Sequence, residues 1–343
     1  MRTRVHVLYR PAMPAAAARG PYAVPPPISV AALAAALPIA ALAGYWLLRR
    51  DAELWLAIAV ALAAALLVYA IASRRARRRR RLARAPFPPT WRKALCDRVG
   101  FYARLDAADR ARFEYGVTVF LAEQTVHGPR GAEVRDETRV LVAASATILA
   151  FGLPPDTLSA VRDVVIYPEA FDEEYRVARG AEVLGQVHAQ GPVILSERAL
   201  VQGYERGQDG LNVGLHELAH VLDFEGGAAD GVPSTMPWKR IRPWLELVHR
   251  EMRRAGKHGS ALRGYGATNE AELFAVAVEA FFEHPAQLQK KHAALYAMLV
   301  EALGQDPAAQ LERDNRPPDE EKIEGAVDGG DARTTPPRRR LHR

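Results

Sequence analysis

The stretch H-E-L-A-H at residues 216–220 has the residue types and spacing of a catalytic zinc site. Residues four apart lie on one face of a helix, so the imidazoles of His216 and His220 can reach one metal ion. Glu217 then lies beside the open position of the metal, where a carboxylate can take a proton from a water molecule. The spacing therefore predicts metal-assisted hydrolysis.

The residues around this stretch predict the helix that must carry it. Four leucines between Leu211 and Leu222 recur at helical spacing, and Gly226-Gly227 follow as a stop signal. Asp223 shares the face of the two histidines, but a straight helix points its side chain past the metal. We therefore expect Asp223 to orient a ligand imidazole rather than to bind the metal.

A catalytic zinc usually keeps three protein ligands and one water, so a third ligand must come from another element. The segment 269–283 reads as a helix in which Asn269 caps the first turn. Three of its acids are candidate ligands, and spacing alone leaves the choice open. They are Glu270, Glu272 and Glu279.

The remaining pattern predicts an α+β fold. Short β-branched runs bounded by Pro or Gly predict strands at Val164–Tyr167 and Val193–Ser196. The second strand lies 20 residues before His216, and we expect it to be an edge strand that lines the cleft and pairs with extended substrate backbone. Hydrophobic periodicity predicts helices at Asp106–Leu121, Asp136–Leu149, Pro243–Arg254 and Asn269–Glu283.

Charge is distributed unevenly along the 343 residues. Residues 1–84 hold 14 of the 46 Lys and Arg but only two of the 40 Asp and Glu, so the remaining chain has a net charge of −6. The body of the protein is therefore a poor candidate for nucleic-acid binding. Cys96 is the single cysteine, which excludes both a disulfide framework within the chain and a cysteine-rich zinc site.

Two uncharged runs near the start predict a transmembrane hairpin. Val30–Leu48 and Leu54–Ala72 each have 19 residues, and only Arg49–Glu53 separates them. Each run would span roughly 28 Å as a helix, close to the hydrocarbon thickness of a bilayer. Two other interpretations are a soluble alanine-rich hairpin and a first run that is a cleaved signal segment.

Eight arginines between Arg74 and Arg84 follow the second run directly. Such a basic flank predicts the cytoplasmic side, so we expect both termini and the catalytic domain to lie in the cytoplasm, at the inner membrane. The arginines are also expected to contact anionic lipid head groups. The predicted layout is a disordered segment at 1–27, two membrane helices and the basic run at 28–84, a peptidase domain at 85–305 and a disordered tail at 306–343.

Six segments resemble the MtfA family of zinc-dependent peptidases. In order along the chain they are FPPTWRKAL, RVLVAASATILAF, VVIYPEAF, GPVILS, NVGLHELAHVLDFEGG and YGATNEAELFAVAVEAFF. The resemblance implies a zincin-like, gluzincin-type domain with a catalytic core similar to that of anthrax lethal factor. It implies His216, His220 and Glu272 as zinc ligands. Glu217 is implied as the general base, and Tyr265, seven residues before Glu272, as the oxyanion stabiliser.

The expected function is that of a membrane-anchored zinc peptidase that acts on a peptide or protein substrate, as an aminopeptidase or an endopeptidase. The enterobacterial member of the family also binds and inactivates Mlc, a repressor of glucose-uptake genes, so a transcriptional regulator is a candidate partner. An alternative is a membrane-tethered protein that sequesters such a partner, with the zinc site incidental. A purely structural zinc site is a weaker alternative, because structural sites usually have four protein ligands.

Overall fold

The structure is a computed structural model that describes residues 24–26, 28–50, 53–154, 156–170, 184–187, 191–206 and 210–314. Within these ranges the helices are α1 (Val30–Leu48), α2 (Leu54–Ala72), α3 (Arg74–Leu82), α4 (Pro89–Arg98), α5 (Gly100–Ala103), α6 (Ala107–Glu123), α7 (Asp136–Ala150), α8 (Glu197–Arg206), α9 (Val213–Phe224), α10 (Trp238–Met252), α11 (Glu270–Glu283), α12 (Pro285–Lys291), α13 (Ala293–Leu303) and α14 (Pro307–Asp314). The strands are β1 (Thr125–His127), β2 (Asp163–Tyr167), β3 (Gly185–Val187) and β4 (Val193–Ser196).

The four strands form one mixed sheet in the order β1-β2-β4-β3. The inner strand β2 is parallel to both neighbours, and Val164 pairs with Val193 of β4. The edge strand β3 runs antiparallel to β4, where Val187 pairs with the same Val193. The predicted strands at β2 and β4 are therefore confirmed, and so is the α+β fold class.

The expectation that Val193–Ser196 is the edge strand is wrong. Strand β4 pairs on both sides, and all four of its residues are buried. The edge beside α9 is instead β3, which the sequence pattern did not predict. A buried inner strand reads as a continuous apolar run, and V-I-L-S fits that pattern better than it fits an edge.

The buried helix α7 forms the centre of the core, with α6 and α9 packed against it. Every residue of α7 from Val140 to Ala150 is buried, so the helix has no solvated face there. Helix α9 approaches it closely at Gly214, where a Cβ atom would lie 2.3 Å from the Ser145 hydroxyl oxygen. A glycine at this position is therefore what allows the predicted metal-binding helix to lie against the core.

The predicted helices agree with α6, α7 and α11 to within two residues, and the start of α10 differs. This helix begins at Trp238, and Pro243 lies inside it rather than at its first turn. The buried residues Trp244, Leu247 and Val248 place one face of α10 in the core. The free energy gained by burying these three side chains outweighs the cost of the backbone hydrogen bond that Pro243 removes.

Helices α1 and α2 pack against each other as a hairpin, and each is long and apolar enough to cross a membrane. Their contact is made by small residues: Ala32, Ala36 and Ala57 are buried, and a Cβ atom on Gly44 would meet Ala61 at 3.5 Å. Large apolar side chains such as Leu66 point outward. Small residues between helices and apolar residues outside are typical of membrane helices.

The segment assigned to a disordered tail begins with an ordered helix. Asp306 accepts a hydrogen bond from the Tyr296 hydroxyl at 2.6 Å and caps α14 through the Ala309 amide at 3.1 Å. Ala308 is buried against the core. The tail prediction therefore fails for Pro307–Asp314, while 315–343, like 1–23, lies outside the described residues.

Candidate metal centre

Helices α9 and α11 lie side by side and bring His216, His220 and Glu272 together. The Glu272 Oε2 atom lies 3.1 Å from His216 Nε2 and 3.5 Å from His220 Nε2. One nitrogen or oxygen atom of each residue lies within 4.8 Å of those of the other two. A tetrahedral zinc with bonds of about 2.0–2.1 Å separates its ligand atoms by about 3.3 Å. The three side chains therefore fit a zinc ion.

Two asparagine N-caps hold the two helices in register. Asn212 accepts a hydrogen bond from the Leu215 amide at 3.1 Å, and Asn269 accepts one from the Glu272 amide at 2.9 Å. Asn212 also bonds to α11, since its backbone N–H donates to Glu279 Oε2 at 2.7 Å. The first turn of α9 is therefore fixed to α11, and this orients His216 toward Glu272.

Glu279 lies behind His216, on the side opposite to Glu272. The His216 Nδ1 atom donates to Glu279 Oε1 at 2.6 Å, and the guanidinium of Arg263 binds the same oxygen. Glu279 is only 1% exposed. A carboxylate on Nδ1 fixes the imidazole tautomer and leaves Nε2 available to a metal, as is usual for histidine ligands.

The candidate ligand Glu270, and Asp223, which was expected to orient an imidazole, both make their contacts elsewhere. Glu270 lies on the outside of α11 and bonds to His249 Nε2 at 2.9 Å. Asp223 is buried, and its Oδ2 atom accepts from the Gly231 amide at 3.0 Å. Among the described residues its Oδ1 atom has no hydrogen-bond partner, and burial raises the pKa of Asp223 to about 6. The expected role of orienting an imidazole thus belongs to Glu279 for His216, not to Asp223.

The Glu217 side chain projects from α9 toward β3. It is buried, and a Cβ atom on Gly185 of β3 would lie 2.5 Å from the Glu217 Oε1 atom. Burial raises the pKa of Glu217 to about 7, although the nearby imidazoles oppose this shift. A carboxyl group with a pKa near neutrality suits proton transfer in both directions.

Tyr265 lies at the mouth of the site, in the short 3-10 helix Gly264–Ala267 that precedes α11. Its ring centroid is 6.0 Å from that of His216, and the residue is 52% exposed. Partial burial raises the pKa of Tyr265, and the nearby charges of Glu272 and Glu217 raise it further. The hydroxyl is therefore a proton-bearing donor beside the three candidate ligands.

The electrostatics of the cluster favour positive charge between the imidazoles and the carboxylate. Burial tends to lower the pKa of His216, but hydrogen bonds to Glu272 and Glu279 raise it to about 10. Burial likewise tends to raise the pKa of Glu272, and its bonds to His216 and His220 lower it to about 2. The carboxylates of Glu272 and Glu279 thus favour a positive charge at the imidazoles, and a metal ion that binds there would take the place of the proton.

A cavity of about 460 Å³ opens onto Glu217 and His216. Its lining includes the apolar side chains of Leu184, Leu211 and Val213 and polar side chains from α8. The complete lining is Leu184, Gly185, Ala199, Gln202, Gly203, Arg206, Leu211, Val213, His216, Glu217, Arg263, Tyr265 and Glu279. The size and mixed lining are suited to a side chain of a peptide bound next to the metal centre.

Residues 73–303 match the family described as glucose-regulated metallo-peptidase M90. The chain belongs to this metallopeptidase family. The match covers α9, α11 and all residues of the candidate metal centre, and the family implies a bound metal ion. The 84-residue N-terminal region predicted to carry the membrane hairpin lies mostly outside it.

Relatives of this M90 protein include proteins named Mlc titration factor A, which confirms the resemblance to the MtfA family. The protein from Serratia proteamaculans is 25% identical over 65% of this chain and 89% of its own length. The one from Edwardsiella ictaluri is 31% identical over 51% of this chain and 71% of its own length. An uncharacterized protein of Synechocystis sp. is 32% identical over 64% of this chain and 85% of its own length.

Proposed function

We propose that this M90 metallopeptidase hydrolyses peptide bonds with a zinc ion held by His216, His220 and Glu272. The observation that carries the proposal is the spacing of their ligand atoms, 3.1 and 3.5 Å from Glu272 Oε2, at the mouth of a cavity beside a buried carboxyl group. A zinc ion at this place supplies a Lewis acid that polarises the substrate carbonyl and makes water acidic.

The protein groups around the ion divide the proton transfers between them. Glu217 accepts the proton of the attacking water at its carboxylate and returns it to the amine that leaves. The Tyr265 hydroxyl donates a hydrogen bond to the oxygen of the tetrahedral intermediate. Glu279 holds the His216 imidazole in one tautomer through both steps.

The edge strand β3 is suited to hold the substrate backbone. Among the described residues it pairs with β4 on one side only, and Gly185 brings it into contact with Glu217. An extended peptide that adds to the other side of β3 would place its carbonyl carbon near the metal centre. This replaces β4, the strand favoured by the sequence, as the proposed substrate-binding edge.

We further propose that α1 and α2 anchor the peptidase in the inner membrane, with the catalytic domain in the cytoplasm. The hairpin is apolar on its outer surface, and the arginine-rich α3 follows it directly, as expected for a cytoplasmic flank. The name Mlc titration factor A, which several relatives carry, makes a transcriptional regulator such as Mlc a partner to test.

The alternative of a binding protein with an incidental zinc site is less well supported by the geometry. A protein that only sequesters a partner has no use for a buried carboxyl group next to the candidate ligands, whereas metal-assisted hydrolysis uses one as a general base. The substrates that separate the two enzyme types are an amino-acid anilide, which an aminopeptidase cleaves, and a peptide blocked at its amino end, which only an endopeptidase cleaves.

The test is Glu217→Gln in the full-length protein. We expect a fall in kcat of about 100- to 10,000-fold, little change in KM and an unchanged zinc content, because the side chain moves a proton and binds no metal. Steady-state kinetics on both substrates and elemental analysis measure these quantities. A variant that keeps wild-type turnover with full zinc would show that the cleavage does not use this site, and would favour the binding-protein alternative.

A further inference from the structure

The arginines of α3 do not form one uniform basic surface. Arg75 and Arg79 each contact Glu123, the last residue of α6, at 2.7 Å, and each contacts Asp156 at 2.9 and 3.1 Å respectively. Arg78 donates to the carbonyl oxygen of Ala122. One face of α3 is thus fixed to the peptidase domain. The sequence predicts that all eight arginines contact lipid head groups, but Arg75 and Arg79 are paired with protein carboxylates instead.

A cavity of about 540 Å³ lies where α3 meets the peptidase domain. Its lining comes from both sides of that junction and consists of Arg74, Arg75, Arg78, Glu123, Gln124, Ser159 and Arg162. Four guanidinium groups therefore surround a space that contains one carboxylate, and Glu123 is already paired with Arg75 and Arg79. The excess positive charge, together with an amide and a hydroxyl donor, fits a phosphate group.

Arg75 is neutralised by carboxylates and Arg78 is held by the Ala122 carbonyl oxygen, which leaves Arg74 and Arg162 as the arginines of this cavity whose guanidinium groups are available to a ligand. Both residues are exposed, and within the part of the chain that the structure describes neither side chain makes an ion pair. Arg162 belongs to the peptidase domain and directly precedes β2, where its carbonyl oxygen accepts from the Thr125 amide at 2.9 Å. Its side chain can therefore be changed without altering the backbone contact.

The position of the cavity selects a lipid as the source of the phosphate. If Ala72 marks the end of the membrane span, a rise of 1.5 Å per residue places Arg74 about 3 Å and Arg78 about 9 Å beyond the hydrocarbon edge. The head-group layer is roughly 5–8 Å deep on each side of a bilayer. On this arrangement Arg74 lies within the head-group layer and Arg78 at its outer limit, so the cavity that both residues line reaches the layer of the phospholipid phosphates from the side of Arg74.

We propose that this cavity binds the phosphate group of an anionic phospholipid, with Arg74 of α3 and Arg162 of the peptidase domain as its principal contacts. The site goes beyond peptide hydrolysis, although it rests on the proposed membrane anchor. A lipid held between α3 and the peptidase domain would fix the orientation of the catalytic domain on the bilayer.

The test is lipid binding by the full-length chain in detergent, titrated with fluorescently labelled phosphatidylglycerol. A basic residue at a membrane surface contributes about 1 kcal/mol, so Arg162→Glu is expected to weaken binding about thirtyfold and Arg162→Gln about fivefold. The control is Arg242→Glu, which makes the same charge change on α10 at a side chain that is 89% exposed. The control is expected to bind like the wild type.

Four outcomes decide the proposal. Loss of affinity in both Arg162 variants, with unchanged thermal unfolding and weak binding of phosphatidylcholine, supports it. Unchanged affinity in the Arg162 variants overturns it. If inorganic phosphate at about 10 mM displaces the lipid, and its own binding also depends on Arg162, the cavity is a site for free phosphate. That result overturns the lipid assignment. Failure of the wild type to float with phosphatidylcholine vesicles refutes the anchor itself, a result that does not involve Arg162.

Discussion

Glu279 offers the sharpest test of how the candidate metal centre is built. Three N–H donors converge on its carboxylate: His216 Nδ1 at 2.6 Å, the Asn212 amide at 2.7 Å and the Arg263 guanidinium. Glu279→Gln keeps the volume of the side chain but leaves one acceptor oxygen. Whichever way the amide is turned, its NH₂ group faces at least one of these donors, so a buried hydrogen bond is lost.

The expected effect is on metal affinity rather than on metal ligation. Loss of a carboxylate behind a histidine ligand typically lowers metal affinity 10- to 100-fold, which corresponds to about 1.4–2.8 kcal/mol. The measurement is a competition titration of the full-length chain with a zinc-binding dye. The matched series consists of Glu272→Gln, which alters a proposed ligand and is expected to lose more, and Glu270→Gln, which is expected to change nothing because Glu270 bonds to His249.

Two results would contradict this reasoning. A dissociation constant for Glu279→Gln within twofold of the wild type would show that the bond to His216 Nδ1 does not tune the metal. A Glu272→Gln variant that keeps full affinity while Glu279→Gln loses it would exchange the two roles. Thermal unfolding accompanies each titration, because an unsatisfied buried donor also destabilises the fold by about 1–3 kcal/mol.

Two further predictions concern the reaction itself. Tyr265→Phe is expected to lower kcat roughly 100- to 1,000-fold, with KM and zinc content nearly unchanged, because it removes one oxyanion donor; wild-type turnover in steady-state kinetics would exclude Tyr265 from that role. Gly185→Ala is expected to displace the Glu217 carboxylate, since the new Cβ would lie 2.5 Å from it, and to lower kcat on the order of 100-fold with zinc retained. An unchanged kcat in Gly185→Ala would show that β3 moves to make room for the new methyl group and that the Glu217 carboxylate stays in place.

Local signals predicted the parts of the site that local structure determines. Helix α9 follows its leucine pattern, and α11 begins where Asn269 caps it and ends at Glu283, as predicted. Strands β2 and β4 are short β-branched runs and were found as predicted. In each case the sequence within the element is sufficient to favour one backbone conformation.

The choice among the candidate third ligands depended on tertiary structure. Glu272 and Glu279 share a face of α11, as their spacing of seven indicates, yet they approach opposite nitrogens of the same imidazole. Only the crossing of α9 over α11 decides which carboxylate reaches Nε2. Strand β3 was missed for a similar reason: Gly185–Val187 has no alternating pattern, and it is a strand because β4 lies beside it.

The eight arginines that follow the second apolar helix have different surroundings in the folded chain. Nothing in the sequence pattern distinguishes one of these arginines from another. In the fold, Arg75 and Arg79 pair with Glu123 and Asp156, which are distant in sequence. A substitution at either arginine would weaken the attachment of α3 to the peptidase domain and any lipid contact together. Arg162 separates the two effects, because it lines the same cavity from the peptidase domain and takes no part in those ion pairs. A substitution at Arg162 leaves the attachment of α3 intact, so a change in lipid affinity in such a variant reports on the cavity alone.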